Sequence, residues 1–308
     1  MVNNKTLILQ ILQESKEALS GETLAEQLGI SRVAAWKHIK SLKEMGYPIR
    51  SSKKGYYLEE QKDTLSSYDF PGEEDKVHTF SQISTTMNIA RDLAIKGHPH
   101  HSVVFAEIQE EGIGRRDKHW ESPEGNLYLT QINRIPLAAH KANLILMGAS
   151  LAMAEGIEQL MDLSIGLKWP NDFHLEGLKL GGILVDHYIR GDQILFSNIG
   201  IGINRQYAPS ETPGATCLKD HGNLPSRKEL YNSFNERWLI YESQLEKGPI
   251  PDLWNQRCSH MNKEVLYVDR MSYEGRFLGV GPLGQALIDI NGDTRELLGG
   301  SLVIKEGS

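Results

Sequence analysis

Cysteine is scarce in this chain: Cys217 and Cys258 are the only two among 308 residues. They make no disulfide framework, and a reducing cytoplasm is the compartment they fit. Long apolar runs are scarce as well. The longest, Ala142 to Ala154, is broken by Asn143, Gly148 and Ser150, and it falls short of the roughly 18 residues that a bilayer span requires. The N-terminus lacks the basic n-region and cleavage site of a signal peptide, so no membrane partner is expected. Nothing arranges Ser, His and Asp, or Cys and His, for covalent catalysis. Of eleven histidines, His98, His100 and His101 form a cluster. It has the composition of a metal site but no partners at structural-zinc spacing, and it reads as a surface loop.

What is present divides by charge. The net charge of −7 conceals ten basic against seven acidic side chains in residues 1–62, which leaves −10 for the remaining 246. Within residues 31–54 seven bases stand against one acid. That is where a polyanion would dock, the alternative being a solvated helix face. With 40% hydrophobic residues, the chain has material for two or three globular domains.

Lys5 to Glu14 carries Leu7, Ile8, Ile11 and Leu12 at helical spacing. Ser20 or Gly21 opens a second helix that Gly29 closes, and Ser31 caps a third that runs to about Met45. Val33, Trp36, Ile39 and Leu42 fall to its inner face, and Arg32, Lys37, Lys40 and Lys43 to its outer one. Only Gly29-Ile30 separates the second helix from the third, the short turn of a helix-turn-helix. Tyr47 to Leu58 then reads as a hairpin with a basic tip, a wing. In such folds the first residues of the third helix reach base edges while flanking lysines pair with phosphates. Ser31, Arg32 and Lys37 suit the first task, and Lys40, Lys53 and Lys54 the second. A three-helix module kept for protein contacts is the alternative. Gln61 to Asp75, rich in Ser, Gly and acids, reads as a linker.

Further on stands Lys168-Trp169-Pro170-Asn171-Asp172, followed by Gly177-Leu178-Lys179-Leu180-Gly181-Gly182. Proline has no N–H for a ladder and holds Trp169 extended, so a strand ends there. Asn171 and Asp172 then occupy the exit turn. Lys179 to Asp186 reads as a buried strand whose glycines let a ligand approach the backbone. Two lysines, a carboxylate and an amide this close together suit a phosphate ester; an ordinary hairpin is the other reading. Gly112 to Arg116 follows the strand Val103 to Gln109 as a loop able to fold over an anion with backbone N–H groups and guanidinium planes. Asn198 to Asn204 is another strand opened by glycines. From Lys263 onward, short alternating strands and the turn Asn291-Gly292 suit a small barrel.

Together these segments resemble the biotin protein ligases over essentially the whole chain, including the DNA-binding front end of that family's repressor-type branch. Residues 20–39 carry the resemblance in front; Lys168–Asp172, Gly177–Gly182 and Gly200-Ile201-Gly202-Ile203-Asn204 carry it in the core. The fold it implies is α+β and multidomain: a winged helix-turn-helix over 1–62, a linker over 63–75, a mixed α/β ligase domain over 76–262 and an SH3-like β-barrel over 263–308. The ligase domain would be class II synthetase-like, of the kind shared with lipoate ligases. The activity implied is ATP-dependent formation of biotinyl-5′-adenylate with Mg²⁺, then transfer of biotin to a lysine of the biotin carboxyl carrier domain of acetyl-CoA carboxylase. The front end implies repression of biotin genes through operator DNA, by a homodimer that forms with adenylate bound.

Carried over position by position, the resemblance puts Ser84, Thr85, Thr86, Gln109, Gly114 and Gly200 on biotin. It puts Arg116, Trp120, Asn171, Asn204 and Lys305 on ATP, and makes Arg115 and Lys179 a catalytic pair touching both. Asp172 is assigned to Mg²⁺. The family's loop reads Gly-Arg-Gly-Arg-Arg-Gly, whereas Ile113 and Asp117 replace its first arginine and last glycine here. A looser hold on the adenylate is expected from them. Cys217 stands where the family has a hydroxyl residue in an adenine-covering loop. Rival readings are a lipoate ligase or octanoyl transferase on the same core, a biotin-responsive regulator that no longer ligates, and a ligase whose helix-turn-helix no longer represses.

Overall fold

The computed structural model describes residues 3–305 apart from 16, 60–62, 64 and 270. Its contacts divide the chain into two units, Met1–Thr79 and Phe80–Ser308; the expected boundary at residue 62 lies outside the described residues.

The first unit begins with α1 (Asn4–Glu14), α2 (Gly21–Leu28) and α3 (Arg32–Glu44). Ser20 and Ser31 cap α2 and α3 by accepting from the Thr23 and Ala34 amides, and Gly29 closes α2 in the left-handed region at φ 64°. β1 (Ile49–Ser52) and β2 (Gly55–Leu58) form the expected antiparallel wing. Ile8, Leu9, Leu24, Ile39, Leu42 and Ile49 make the core, each such side chain contributing on the order of 1.5–3 kcal/mol by leaving water. The assignment of Val33 and Trp36 to the inner face of α3 needs correction: they are 63% and 51% exposed, and Ala35, Ile39 and Leu42 are buried instead. At about 100° per residue, Trp36 and Val33 lie roughly 100° and 160° round the helix from Ala35. In α1 the buried stripe takes Leu9 rather than Leu7. The stretch read as a linker is partly folded onto this unit. Ser67–Asp69 makes a 3-10 turn with a capping box from Ser66, the Tyr47 hydroxyl donates to Asp69 at 2.9 Å, and the Thr6 hydroxyl donates to Glu74 at 2.7 Å. Its serine and acids therefore act as caps and acceptors.

The second unit is built on a seven-stranded sheet. Its elements in chain order are β3 (Val77–Ile83), α4 (Thr86–Ile95), β4 (Val103–Gln109), β5 (Leu127–Asn133), α5 (Ala142–Leu160), β6 (Gly166–Lys168), β7 (Asp172–Leu175), β8 (Leu178–Arg190), β9 (Gln193–Ile203), α6 (Arg227–Gln244) and α7 (Ile250–Gln256). The strand order is β3-β4-β5-β9-β8-β7-β6, antiparallel from β4 to β6. The apolar run at Ala142 lies in α5, a core helix buried on most sides against Phe234, Trp238 and Tyr241 of α6. Among the described residues no helix is long and apolar enough to cross a membrane. β10 (Glu264–Val268), β11 (Ser272–Val280), β12 (Ala286–Ile290), β13 (Asp293–Leu297) and β14 (Ser301–Ile304) form a separate five-stranded antiparallel sheet in the order β13-β12-β11-β10-β14.

Candidate active site and nucleic-acid surface

The antiparallel pairing of β5, β9, β8 and β7 brings Thr130 opposite Gly200, Gly182 opposite Gly202 and Asp172 opposite Gly182. The sheet thus has a floor without side chains. A Cβ on Gly202 would stand 2.7 Å from Trp120 Nε1, and one on Gly200 would stand 2.6 Å from Met87 Sδ. Glycine is what lets these two side chains lie on the backbone. Over this floor are two lobes of one cleft, and Gly114, Trp120 and Asn171 line both.

The smaller lobe is apolar along Met87, Ile113, Leu129 and Leu184 and polar at one end. There the Thr86 amide, the Thr86 hydroxyl and the Thr85 hydroxyl donate to Gln109 Oε1 at 2.8, 3.1 and 3.3 Å. Gln109 Nε2 donates to Ser122 Oγ at 3.0 Å, and Thr130 Oγ1 donates to Thr86 Oγ1 at 2.8 Å. Cross-bonding of this kind sets each amide and hydroxyl before a ligand arrives. The free volume of this lobe is only about 40 Å³.

The larger lobe, about 430 Å³, is cationic: Arg115, Arg116, Lys118, Lys168 and Lys179 line it with only Glu121 and Asp172 as acids. Lys179 Nζ lies 2.7 Å from Asp172 Oδ1 and 5.2 Å from the centre of the Trp120 ring, which puts it where the lobes meet. Burial lowers the pKa of Lys168, with Lys179 adding to that and Asp172 opposing it. Burial, then the neighbouring Arg116, lowers Arg115 from the ordinary arginine value, which still leaves it charged.

The loop that closes the cleft is held at both ends. Ile113 bridges His119, and the Gly114 amide donates to Lys118 O at 2.7 Å. Arg115 Nη2 donates to Gly300 O at 2.7 Å, and Arg116 Nη2 donates to Asp269 Oδ1 at 2.6 Å and Val268 O at 3.1 Å. Arg116 and Asp117 both sit at φ 56°. Asp117 is exposed and does not line the cleft, whereas Ile113 forms part of the smaller lobe's wall.

Of the other expected site residues, Thr85, Thr86, Gln109, Gly114 and Gly200 line the smaller lobe, and Asn171, Asp172 and Asn204 line the larger. Two stand apart. Ser84 does not line either lobe; Thr85, not Ser84, caps α4, and the Ser84 carbonyl accepts from Glu111 N at 2.9 Å. Lys305 Nζ pairs with Glu274 at 2.7 Å, and its end of the chain reaches the cleft through Ser301, Leu302 and Val303. Met87, Leu129 and Leu184 were missed because in sequence they are indistinguishable from core residues. Lys168, in the same motif as Asn171 and Asp172, lines the larger lobe as well. Cys217 is buried, donating from Sγ to Asp220 at 3.3 Å, and burial pushes its thiol pKa up. The histidine cluster does have a partner. His100 Nε2 and His101 Nε2 lie 2.9 and 2.8 Å from the two oxygens of Glu242 on α6. His100 Nδ1 accepts from the Arg134 amide at 2.9 Å, so its Nε2 carries the hydrogen and donates rather than ligating a metal.

On the first unit, Arg32, Lys37, Lys40, Lys53 and Lys54 are all exposed around α3 and the wing. Ser31 Oγ accepts from the Ala34 amide at 3.1 Å, so its oxygen serves the cap.

Residues 4–57 match the HTH domain family, and residues 79–204 match the biotin/lipoate A/B protein ligase family. A bifunctional ligase/repressor BirA of Bacillus subtilis (strain 168) is 32% identical, covering 93% of this chain and 94% of its own length. Its namesake of Escherichia coli (strain K12) is 30% identical over 98% of both chains. Among solved structures, a biotin protein ligase from Aquifex aeolicus in complex with biotin and ATP superposes with a TM-score of 0.62 at 22% identity, covering 74% of this chain and 98% of that one; at that identity the likeness is one of fold.

Proposed function

Since the chain belongs to the biotin protein ligase family, in the branch that carries a helix-turn-helix domain in front, we propose that the two-lobed cleft is where it joins biotin to ATP and then to an acceptor lysine. The protein is an ATP-dependent biotin ligase and a DNA-binding transcriptional repressor. The observation that carries the placement of its chemistry is Lys179, a fixed cation where a polar-ended apolar pocket opens into a cationic one.

Biotin occupies the smaller lobe, its polar head at Thr85, Thr86 and Gln109 and its carboxylate towards Lys179. In the first step a carboxylate oxygen bonds to the α-phosphorus of ATP, the bond to the bridging oxygen breaks, and pyrophosphate leaves with the electron pair. In the second, the ε-amine of the acceptor lysine attacks the acyl carbon, the acyl–oxygen bond breaks, AMP leaves and the amine loses a proton. Both transition states gather negative charge on oxygen, where Lys179 and Arg115 stabilise it without reorganising. Arg116, Trp120, Asn171 and Asn204 hold the nucleotide. The Asp172 carboxylate in the phosphate lobe suits a hard cation, and Mg²⁺ held there with the phosphates would neutralise the triphosphate.

The acceptor is the carrier domain of a biotin-dependent carboxylase, and the two free cysteines fit a reducing cytoplasm. Operator DNA is bound by a homodimer that adenylate favours, since a helix-turn-helix reads two half-sites. Incubation with biotin, ATP, Mg²⁺ and a biotin carboxyl carrier domain, followed by intact-mass measurement, tests the catalytic reading. One biotinyl group on the acceptor is expected; modification with lipoate but not biotin would reassign the substrate. Gel-shift affinity for operator duplex should rise with biotin and ATP, and indifference to both would contradict the linked dimer.

A further inference from the structure

The exposed face of α3 is not uniformly polar. Val33, Trp36, Lys37 and Lys40 repeat at i, i+3, i+4 and i+7, so apolar and cationic side chains share one outward stripe. Trp36 and Val33 are 51% and 63% exposed although the core beneath is already filled by Ile8, Leu24, Ile39 and Leu42. Folding therefore gives no reason for a tryptophan there. Both side chains line a groove of about 600 Å³ between α3 and the wing, shared with Arg32, Ser51, Lys53 and Lys54. The groove is braced: Lys43 Nζ donates to Ser51 Oγ at 2.9 Å and lies 5.6 Å from the centre of the Tyr56 ring, tying helix to hairpin. Lys40 Nζ lies 5.7 Å from the centre of the Trp36 ring, which sets a cation beside the apolar surface.

A surface that carries seven bases against one acid over residues 31–54 fits a nucleic-acid duplex. The major-groove edge of a duplex presents donors and acceptors, and its one apolar group is the 5-methyl of thymine. We infer that Val33 and Trp36 read thymine methyl groups at adjacent steps of each half-site, while Arg32 and Lys37 make the polar base contacts and Lys40, Lys53 and Lys54 hold phosphates. This rests on the DNA-binding reading above and adds a specificity determinant to it.

The test uses the full-length protein with biotin, ATP and Mg²⁺. Duplexes are selected from a randomised library, and the enriched duplex is compared with forms in which each thymine is replaced singly by uracil, which removes the methyl group and nothing else. Fluorescence anisotropy at fixed salt is expected to show about three- to fourfold weaker binding at one or two positions per half-site, the size of one buried methyl group. Trp36→Ala and Val33→Ala should bind the thymine and uracil forms more nearly alike while keeping the parent's salt dependence. Equal binding of both forms by the parent, or an undiminished thymine preference in both variants, overturns the inference and leaves DNA binding standing. Absence of salt-dependent binding to any duplex removes the DNA-binding reading and this inference with it.

Discussion

Lys179 is held from two sides, by the Asp172 carboxylate at 2.7 Å and by the face of Trp120. Both partners belong to the cleft, and in the proposed reaction this fixed ammonium is the cation that meets carboxylate and α-phosphate. Lys179→Ala is expected to lower biotin-driven ATP–pyrophosphate exchange by about 100- to 1000-fold, as loss of one fixed donor to a developing oxyanion does elsewhere. Isotope exchange measures this, and a rate within a few-fold of the parent would deny the lysine its central part. Asp117 acts through the backbone instead. Its left-handed φ of 56° is one glycine adopts freely and costs a residue with a side chain about 1 kcal/mol. Asp117→Gly should therefore steady the loop and slow adenylate dissociation by about twofold to fivefold. Stopped-flow release at the parent's rate would show that the closed loop does not bear this cost.

Elements here are joined by a few polar ties that cross long stretches of chain. The segment between α4 and β4 is latched to α6 by His100 and His101, both donating to Glu242. His101 adopts φ 64° to bring its ring beside that of His100, with ring centres 3.6 Å apart. Burial alone would raise the Glu242 carboxyl; the hydrogen bonds from the two histidines outweigh it and pull the pKa down to about 2. A carboxyl depressed in the folded state stabilises above its unfolded value and loses that contribution as pH falls towards the folded one. The stability gap between the parent and Glu242→Gln should therefore be full at neutral pH and narrow as pH drops below about 4.5. Urea melts at pH 7, 5, 4 and 3 follow it; a gap that stays constant would mean the latch does not depend on the ionised carboxylate. The loop over the cleft is tied in the same manner, Arg115 to Gly300 and Arg116 to Asp269, so residues that flank β14 and β10 of the C-terminal sheet hold the two arginines.

At the scale of the whole molecule, the two units separate ligation from DNA binding. Every residue lining the cleft lies within Phe80–Ser308, and α3 and the wing lie within Met1–Thr79. Glu74 and Asp69 are bonded to Thr6 and Tyr47, so the first unit takes in residues of the stretch that reads as a linker. A fragment of residues 76–308 is expected to support pyrophosphate exchange within about twofold of the full chain and to lose duplex binding altogether. Exchange assays and gel shifts on the same preparation check both halves; loss of exchange would mean that the catalytic unit depends on the first.

Features that depend on neighbours along the chain are legible in the amino-acid order. Ser20, Gly29 and Ser31 cap and close helices as their residue types dictate, and Pro170 ends β6 because it has no N–H to give. The glycines at 200 and 202 mark where the side chains of Met87 and Trp120 press on the sheet, closer than a Cβ would allow. Tertiary structure decided what depends on partners far away in sequence. A tryptophan has no intrinsic side of a helix, so Trp36 faces outward only because Ala35, Ile39 and Leu42 meet the other helices. Glu242 is invisible as a histidine partner until α6 crosses the loop, 141 residues on from His101. Lys305 follows β14, whose pairing with β10 brings its ammonium within 2.7 Å of Glu274, a partner that position along the chain does not show. Caps and turns are settled within a few residues of backbone; a binding site is settled by which strands lie side by side.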